Sequence, residues 1–287
     1  INKNILIILF LNILINLKIK LLIYIYFRLI MKVKNIYLID TSKKFTIETY
    51  SGYKKSDVVN KLKEFIEEKN LENSFLFTIE LLKSLKIDIL LNTFFYYYID
   101  YININNIKLF YYLHNEINKI KNIKDKYNDL QVRNSIASIL SLIIYSPTNT
   151  NIYYNIKITK NDYNVNNISN IIKHYLSKQY LQNNDFYNIS LYEIEYQLNK
   201  NNLKACHYWV EWYIYYETKI NKNKEIIKDY INQIFTNILN DEKQNSYDYK
   251  KIFQIQCIFN EIYSISKLNK LKNIIYMLFY LKQNKKI

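Results

Sequence analysis

The sequence predicts an all-α fold, an irregular helical array or bundle in two halves. Three observations predict it. Apolar residues recur at helical spacing through most of the chain after Ser56. The chain holds one glycine and one proline, the two residues that most often interrupt helices. Its 287 residues are 49% hydrophobic and 23% charged, which is typical of a globular protein.

The composition is strongly biased toward residues with A/T-rich codons. Ile, Asn and Lys are abundant, and 31 tyrosines stand against one glycine. We interpret this bias as the base composition of an A/T-rich genome. Because it enriches Ile and Tyr whatever the fold, these residues do not indicate β structure here.

Residues 1–30 form a doubtful upstream or N-terminal apolar segment, with four basic and no acidic side chains. A transmembrane helix needs about 20 apolar residues, but Lys18 and Lys20 interrupt the run. A secretory signal should follow a methionine and end in small residues, and neither feature is present. We favour translation from Met31, with a membrane-associated helix as the alternative. Without this segment the net charge falls from +15 to +11.

Residues 31–147 are predicted to form the first helical half. Ile36–Ile39 and Phe45–Tyr50 have strand character and are candidates for a small β-hairpin near residues 36–50, with Gly52 marking the next turn. In the second predicted helix, one face is expected to carry Phe75, Leu76, Ile79 and Leu82. The predicted helices contain Val59–Ile66, Phe75–Leu82, Leu90–Tyr98, Leu113–Ile120 and Ile136–Ile143, the last ended by Pro147.

Residues 148–170 are rich in Asn, and we interpret them as a seam with a candidate strand at Ile152–Ile158. Residues 171–287 are predicted to form the second helical half. Its strongest helix runs from Leu203 to Lys219, and others contain Ser190–Leu198 and Tyr230–Ile238. Leu271–Leu281 is strongly apolar, but it is too short to span a bilayer.

The two halves share a weak internal sequence similarity. Asn70–Phe77 is similar to Asn202–Trp209, and each stretch opens an aromatic-rich helix. Chance agreement is common in so biased a composition. Duplication of a helical repeat and coincidence therefore both remain open at this point.

The single glycine excludes the loops that hold phosphate in most nucleotide enzymes, since these need two or three glycines. Cys206 and His207 are adjacent, so on a helix they point about 100° apart and cannot form a catalytic dyad. We interpret them as a buried Cys beside a partly exposed His. His114 and His174 stand alone, and no spacing fits metal ligands. We therefore predict no catalytic, metal or cofactor-binding residues.

Two features are candidate binding sites. Tyr208, Trp209, Glu211 and Trp212 include both tryptophans of the chain, and we interpret them either as a core anchor or as an aromatic surface for a protein partner. The second feature is a set of lysines that would bind polyanions without reading sequence, since only two arginines are present. These lysines are Lys54, Lys55, Lys219, Lys222 and Lys224.

Three stretches resemble one known family. They are Tyr50-Ser-Gly-Tyr-Lys-Lys-Ser-Asp-Val-Val, Asn155-Ile-Lys-Ile-Thr-Lys-Asn-Asp-Tyr163 and Leu203-Lys-Ala-Cys-His-Tyr-Trp-Val-Glu-Trp212. In order and spacing they are similar to motifs of a conserved uncharacterised protein family of nucleocytoplasmic large DNA viruses, the giant viruses. The likeness covers roughly residues 48–225. This chain departs from the family in carrying an extra residue, His207, and in lacking the family's Ser-Gly-His, Gly-Asn-Pro and cysteine-rich segments.

The resemblance implies a viral origin, action in the host cytoplasm at the viral factory or in the virion, and no enzymatic activity. The first half of the family has a fainter likeness to the helical collar domains of clamp-loader ATPases, which oligomerise. That likeness implies protein assembly near replicating DNA.

We therefore expect a non-catalytic viral accessory protein that contacts viral or host proteins and associates with DNA nonspecifically during replication or transcription. The alternative is a virion structural or membrane-associated component, with membrane contact only if residues 1–30 are translated. An enzyme with an unrecognised site is a third hypothesis.

Overall fold

The computed structural model describes residues 39–42, 45–148, 154, 156–164, 186–240, 242, 246–264 and 268–283. The chain divides into two units, Ile1–Lys43 and Lys44–Ile287. In the first unit, the described residues form a turn in which Ser42 donates hydrogen bonds to the carboxylate of Asp40. The doubtful segment 1–30 lies outside the described residues.

The regular structure of the described residues is helical, as the sequence predicts. Two helices continue into π-helical turns, at Tyr98–Ile102 and Tyr216–Ile220, and two short 3₁₀ turns occupy Asn103–Asn106 and Lys160–Tyr163. The α-helices are α1 Lys55–Glu67, α2 Leu71–Lys83, α3 Ile87–Tyr97, α4 Ile107–Asn122, α5 Leu130–Tyr145, α6 Phe186–Asn199, α7 Leu203–Tyr215, α8 Ile226–Asn240, α9 Tyr247–Ile262 and α10 Leu268–Gln283. The helices of both predicted halves belong to the unit Lys44–Ile287.

The two predicted strand regions are not strands where the structure describes them. Around Gly52 there is one isolated antiparallel bridge, between Glu48 and Lys54, and residues 36–38 of the candidate hairpin lie outside the described residues. In the candidate strand 152–158, the described residues 154 and 156–158 are irregular.

Gly52 forms the turn that precedes α1. Its φ of +80° is a conformation that favours glycine, and its N–H donates to the carbonyl of Thr49. The turn is fastened to α2 because Ser51 donates two hydrogen bonds, of 2.7 and 2.8 Å, to the carboxylate of Glu80. Burial alone would raise the pKa of Glu80, but hydrogen bonds from Thr49 and Ser51 and the charge of Lys83 bring it below its ordinary value.

The connectors α1–α2 and α6–α7 share one backbone design. The second connector residue, Lys69 or Asn201, has a φ of 56°. The third, Asn70 or Asn202, caps the next helix by accepting a hydrogen bond from the N–H three residues later, at 3.1 and 3.2 Å. The N–H of each asparagine also donates to a carbonyl five residues earlier, at 2.9 Å in both cases. The sequence similarity at Asn70 and Asn202 therefore corresponds to the same helix–turn–helix geometry in both halves.

Helix α10 is the centre of the unit. Its residues Ile274–Phe279 are all buried, as expected of a helical stretch that is apolar on every face. It contacts α6, α7 and α9 in the second half, and it also contacts residues 98–106 in the first. The apolar run Leu271–Leu281 is thus explained by burial within the protein. In the part of the chain that the structure describes, no helix is long and apolar enough to cross a membrane.

Replacing Ile275 of α10 by Ala should destabilise the protein by about 2 to 5 kcal/mol, because the side chain is fully buried and its removal leaves a cavity. Urea unfolding followed by circular dichroism measures this change. The matched control is Ile47→Ala, since Ile47 is 76% exposed and its loss should change the free energy of unfolding by less than about 0.5 kcal/mol. Equal effects at the two positions would contradict the central position of α10.

Candidate functional site

The two tryptophans of α7 lie in the core. Trp209 is 2% exposed and Trp212 is 1% exposed, and their rings meet edge to face with centroids 5.2 Å apart. Both indoles are therefore packed as core anchors in this structure and do not form an exposed aromatic surface. Their large apolar rings bury more surface within the helical array than they could on its outside.

The segment 156–164 covers one side of α7. Tyr163 stacks on the Trp212 ring at 4.8 Å between centroids, and its hydroxyl donates to the backbone carbonyl of Trp212. Asp162 holds the two elements together. Its carboxylate accepts hydrogen bonds from the Tyr208 hydroxyl at 3.1 Å and from the Thr159 N–H at 2.7 Å. Its backbone carbonyl accepts one from the Trp212 indole at 3.3 Å.

Glu211 joins α7 to α10. Its carboxylate accepts a 2.6 Å hydrogen bond from the Tyr276 hydroxyl and forms an ion pair with Lys272, and both partners belong to α10. Tyr208 and Glu211 are half-buried, and the hydrogen bonds and ion pair described above join them to other parts of the same chain. Contact of these two residues with a protein partner stays a prediction.

Two of the three stretches that carry the family resemblance therefore meet in the structure. Residues 155–163, as far as they are described, lie against residues 203–212 through Asp162 and Tyr163. The first stretch forms the Gly52 turn and the start of α1. No pattern within either motif indicates that they would touch, because about 50 residues separate the paired groups.

Cys206 and His207 do not form a catalytic pair. The Cys206 thiol points at the carbonyl of Ile194, 3.8 Å away, and burial raises its pKa. His207 was expected to be partly exposed, but it is completely buried. It stacks on Tyr276, with centroids 3.8 Å apart, and neither of its ring nitrogens has a hydrogen-bond partner in the structure.

The surroundings of His207 favour its neutral form. Tyr154 meets the ring edge to face, and Phe279 and Tyr280 complete the aromatic enclosure. Burial in this enclosure lowers the pKa of the imidazole to about 3. A histidine of this kind is a packing residue, since it is not protonated to imidazolium at neutral pH and its ring nitrogens have no hydrogen-bonded neighbour to exchange a proton with.

Of the other two histidines, His114 lies 3.0 Å from the Glu261 carboxylate, which also accepts a hydrogen bond from Asn118. His174 lies outside the described residues. Within the described residues, no group of three His, Cys, Asp or Glu could hold a metal ion.

The basic excess of the chain is unevenly distributed. Residues 45–148 carry thirteen basic and twelve acidic side chains, a net of +1, whereas residues 1–44 and residues 149–287 each carry a net of +7. At the start of α1, Lys54 is exposed and Lys55 is half-buried, but Glu48 and Asp57 lie beside them in the bridge and first helical turn. This balance weakens the field that a polyanion would meet there.

Polyanion binding is better supported at the other three lysines, Lys219, Lys222 and Lys224. They line an open groove between the π-helical turn Tyr216–Ile220 and α8, together with Thr218 and Asn223. All three lysines are exposed, and Lys222 has a φ of 58° that bends the chain around the groove. We call residues 219–224 the lysine loop. The groove has one acidic lining residue, Glu225.

An exposed apolar surface was missed by the sequence analysis. On α2, Leu76 is 57% exposed and Ile79 is 38% exposed, although both were expected on its buried face. The buried face instead holds Ser74, Thr78, Leu81 and Leu82. Ser74 can be buried because its hydroxyl donates to the carbonyl of Asn70. The turn before α1 adds three more exposed side chains. We call the whole set the first-hairpin surface, after the helical hairpin α1–α2: Ile47, Tyr50, Tyr53, Leu76 and Ile79.

The burial of His207 predicts a particular response to acid. The folded protein keeps the imidazole neutral down to a pH of about 3, whereas an unfolded chain protonates it near pH 6.5. The unfolded state thus binds more protons in this interval. The free energy of unfolding should therefore fall as pH drops below about 6.5, by up to about 1.4 kcal/mol per pH unit from this residue.

The variant His207→Leu should remove this contribution, so that the difference in unfolding free energy between wild type and variant changes steadily from pH 7 to pH 4. Chemical denaturation at several pH values measures it. Phe279→Leu is the control, because Phe279 is a buried neighbour of His207 with no proton to gain. Parallel pH profiles for wild type and His207→Leu would show that the histidine is not held neutral.

Comparison of the chain with protein-family models, with curated proteins and with solved structures gives no match. The resemblance to the large-DNA-virus family accordingly stays a prediction from the sequence motifs.

Proposed function

We propose that this chain is a non-catalytic accessory protein of a large DNA virus that works through protein–protein contacts and associates with DNA without sequence preference. The host cytoplasm, at the viral factory, or the virion is its proposed place of action. The observation that carries the proposal is the first-hairpin surface, a group of apolar side chains held open to solvent on a rigid support.

The rigidity of that support matters for binding. Exposed apolar patches mark interaction sites, and aromatic side chains that are already fixed lose less conformational entropy when a partner covers them. The backbone of Tyr50 is held because its N–H donates to the Ser84 hydroxyl at 2.8 Å, and the ammonium of Lys83 lies 5.0 Å from the Tyr50 ring centre. Leu76 and Ile79 stand on α2, which packs against α1, α3 and α5.

A non-catalytic role is supported by the use of the reactive side chains. The titratable side chains around α7 that could serve in catalysis are instead packed in the core or hydrogen-bonded within the chain. His207 is enclosed by aromatic rings, Asp162 and Glu211 accept hydrogen bonds from tyrosines, and buried Glu217 accepts one from Asn221 at 2.8 Å.

The lysine loop supplies the DNA-binding part of the proposal. Lysine contacts with phosphate require no base recognition and depend on the release of counterions. The loop lies in a part of the chain with a net charge of +7, and its three ammonium groups line a single groove.

The protein-contact proposal is tested by Ile79→Asp, which places a charge in the first-hairpin surface. When the tagged variant is purified from infected cells, the amount of specific partner recovered with it should fall at least tenfold, because a buried unpaired carboxylate destabilises an interface. The matched control is Ile220→Asp, since Ile220 has the same exposed fraction of 38% but lies beside the lysine loop. If both variants recover the same proteins as the wild type, the first-hairpin surface is not the contact.

The DNA proposal predicts unequal effects of two triple substitutions. Replacing Lys219, Lys222 and Lys224 by Gln should weaken binding to a random-sequence duplex by about tenfold at 50 mM salt. The slope of log affinity against log salt should also decrease by about 3, one unit for each lost phosphate contact. Fluorescence anisotropy over a salt series measures both quantities.

The control triple, Lys54, Lys55 and Lys61 replaced by Gln, removes the same charge from the nearly neutral half and should change the affinity less than threefold. Equal losses from both triples would indicate that overall charge, and not the lysine loop, determines DNA association.

A further inference from the structure

A groove between α6 and α8 is separate from every site discussed above. Its floor is apolar and includes Leu191, Ile194 and Ile238, and its rim is polar and includes Glu195, Gln233 and Asn237. We call it the α6–α8 groove. Its open part follows α6 from Tyr187 to Glu195, about 12 Å at the rise of an α-helix. An extended peptide of about three or four residues has the same length.

The amide groups on α8 are oriented for backbone recognition. Gln233 Nε2 donates a 2.9 Å hydrogen bond to Asn237 Oδ1, which fixes both side chains on adjacent turns of the helix. Gln233 Oε1 is left as an acceptor and Asn237 Nδ2 as a donor, and both residues are half-buried in the rim. An extended peptide offers the complementary pair, one N–H and one C=O for each residue.

The charge of the groove selects among ligands. Glu195 is exposed on the rim and makes no ion pair within the described residues. Lys282, at the far end of the groove, lies 3.3 Å from the Glu242 carboxylate, so its charge is already balanced. A phosphate backbone would be repelled by Glu195, whereas a Lys or Arg side chain would be attracted to it.

We propose that the α6–α8 groove binds an extended peptide segment of a partner protein, with a Lys or Arg of that segment facing Glu195. Gln233 and Asn237 pair with the peptide backbone, and apolar peptide side chains lie on the floor beside Leu191. This inference rests on the proposed function, since it names one class of partner segment, but it uses a surface separate from the first hairpin.

The test uses the full chain and an array of immobilised nine-residue peptides in which each position is scanned through Lys, Arg, Gln, Asp and Glu. Wild-type protein should retain peptides with Lys or Arg at one position at least tenfold over those with Asp or Glu. Glu195→Lys should reverse the preference at that same position. Asn237→Leu should weaken retention of all peptides about tenfold, because the side-chain amide that donates to the peptide backbone is lost.

Glu68→Lys is the matched control, because Glu68 is exposed at the end of α1 and the variant should keep the wild-type preference. Circular dichroism of each variant shows whether it is folded. A wild type without positional preference, or a preference that Glu195→Lys leaves unchanged, would overturn the proposal. Retention of the peptides by Ile79→Asp separates this groove from the first-hairpin surface, so either proposal can fail alone.

Discussion

The burial of helix α10 is the constraint on which the rest of the structure depends. A helix that is apolar on every face is stable in water only when other elements surround it. Here the surrounding elements come from both halves of the chain, since residues 98–106 and helices α6, α7 and α9 all contact it. The ion pair and hydrogen bond from α10 to Glu211 fix its position along α7. The helical halves consequently form one unit, although the Asn-rich stretch between them suggested a seam.

The sequence predicts the fold class because helical periodicity and helix-ending signals are local. Helix α5 ends at Tyr145, two residues before Pro147, and Gly52 takes the positive φ that its position before α1 suggested. Burial depends on distant residues and is predicted less well. Ser74 and Thr78 replace Leu76 on the inner face of α2 because small hydroxyl side chains fit there. The burial of Trp212 depends on Tyr163 and Asp162, which no local pattern associates with it.

The two halves present different surfaces from similar helix–turn–helix units. Residues 45–148 are nearly neutral and expose apolar side chains on α2, while in the second half the corresponding helix α7 is covered by residues 156–164 and by α10. The lysine loop and the carboxamide-lined groove both belong to the second half. The apolar surface proposed for protein contact and the lysines proposed for polyanion contact therefore lie on different helical hairpins.

The connectors have a consequence for how this chain can change. Lys69, Leu85 and Asn201 hold φ values near +57°, between 56° and 59°, a region that strains any residue with a Cβ by about 1 kcal/mol. In most proteins glycine occupies such positions, whereas this chain has a single glycine. Strain is therefore distributed over several turns of the backbone. Replacing these residues by glycine would release that strain, so the fold itself leaves room for greater stability.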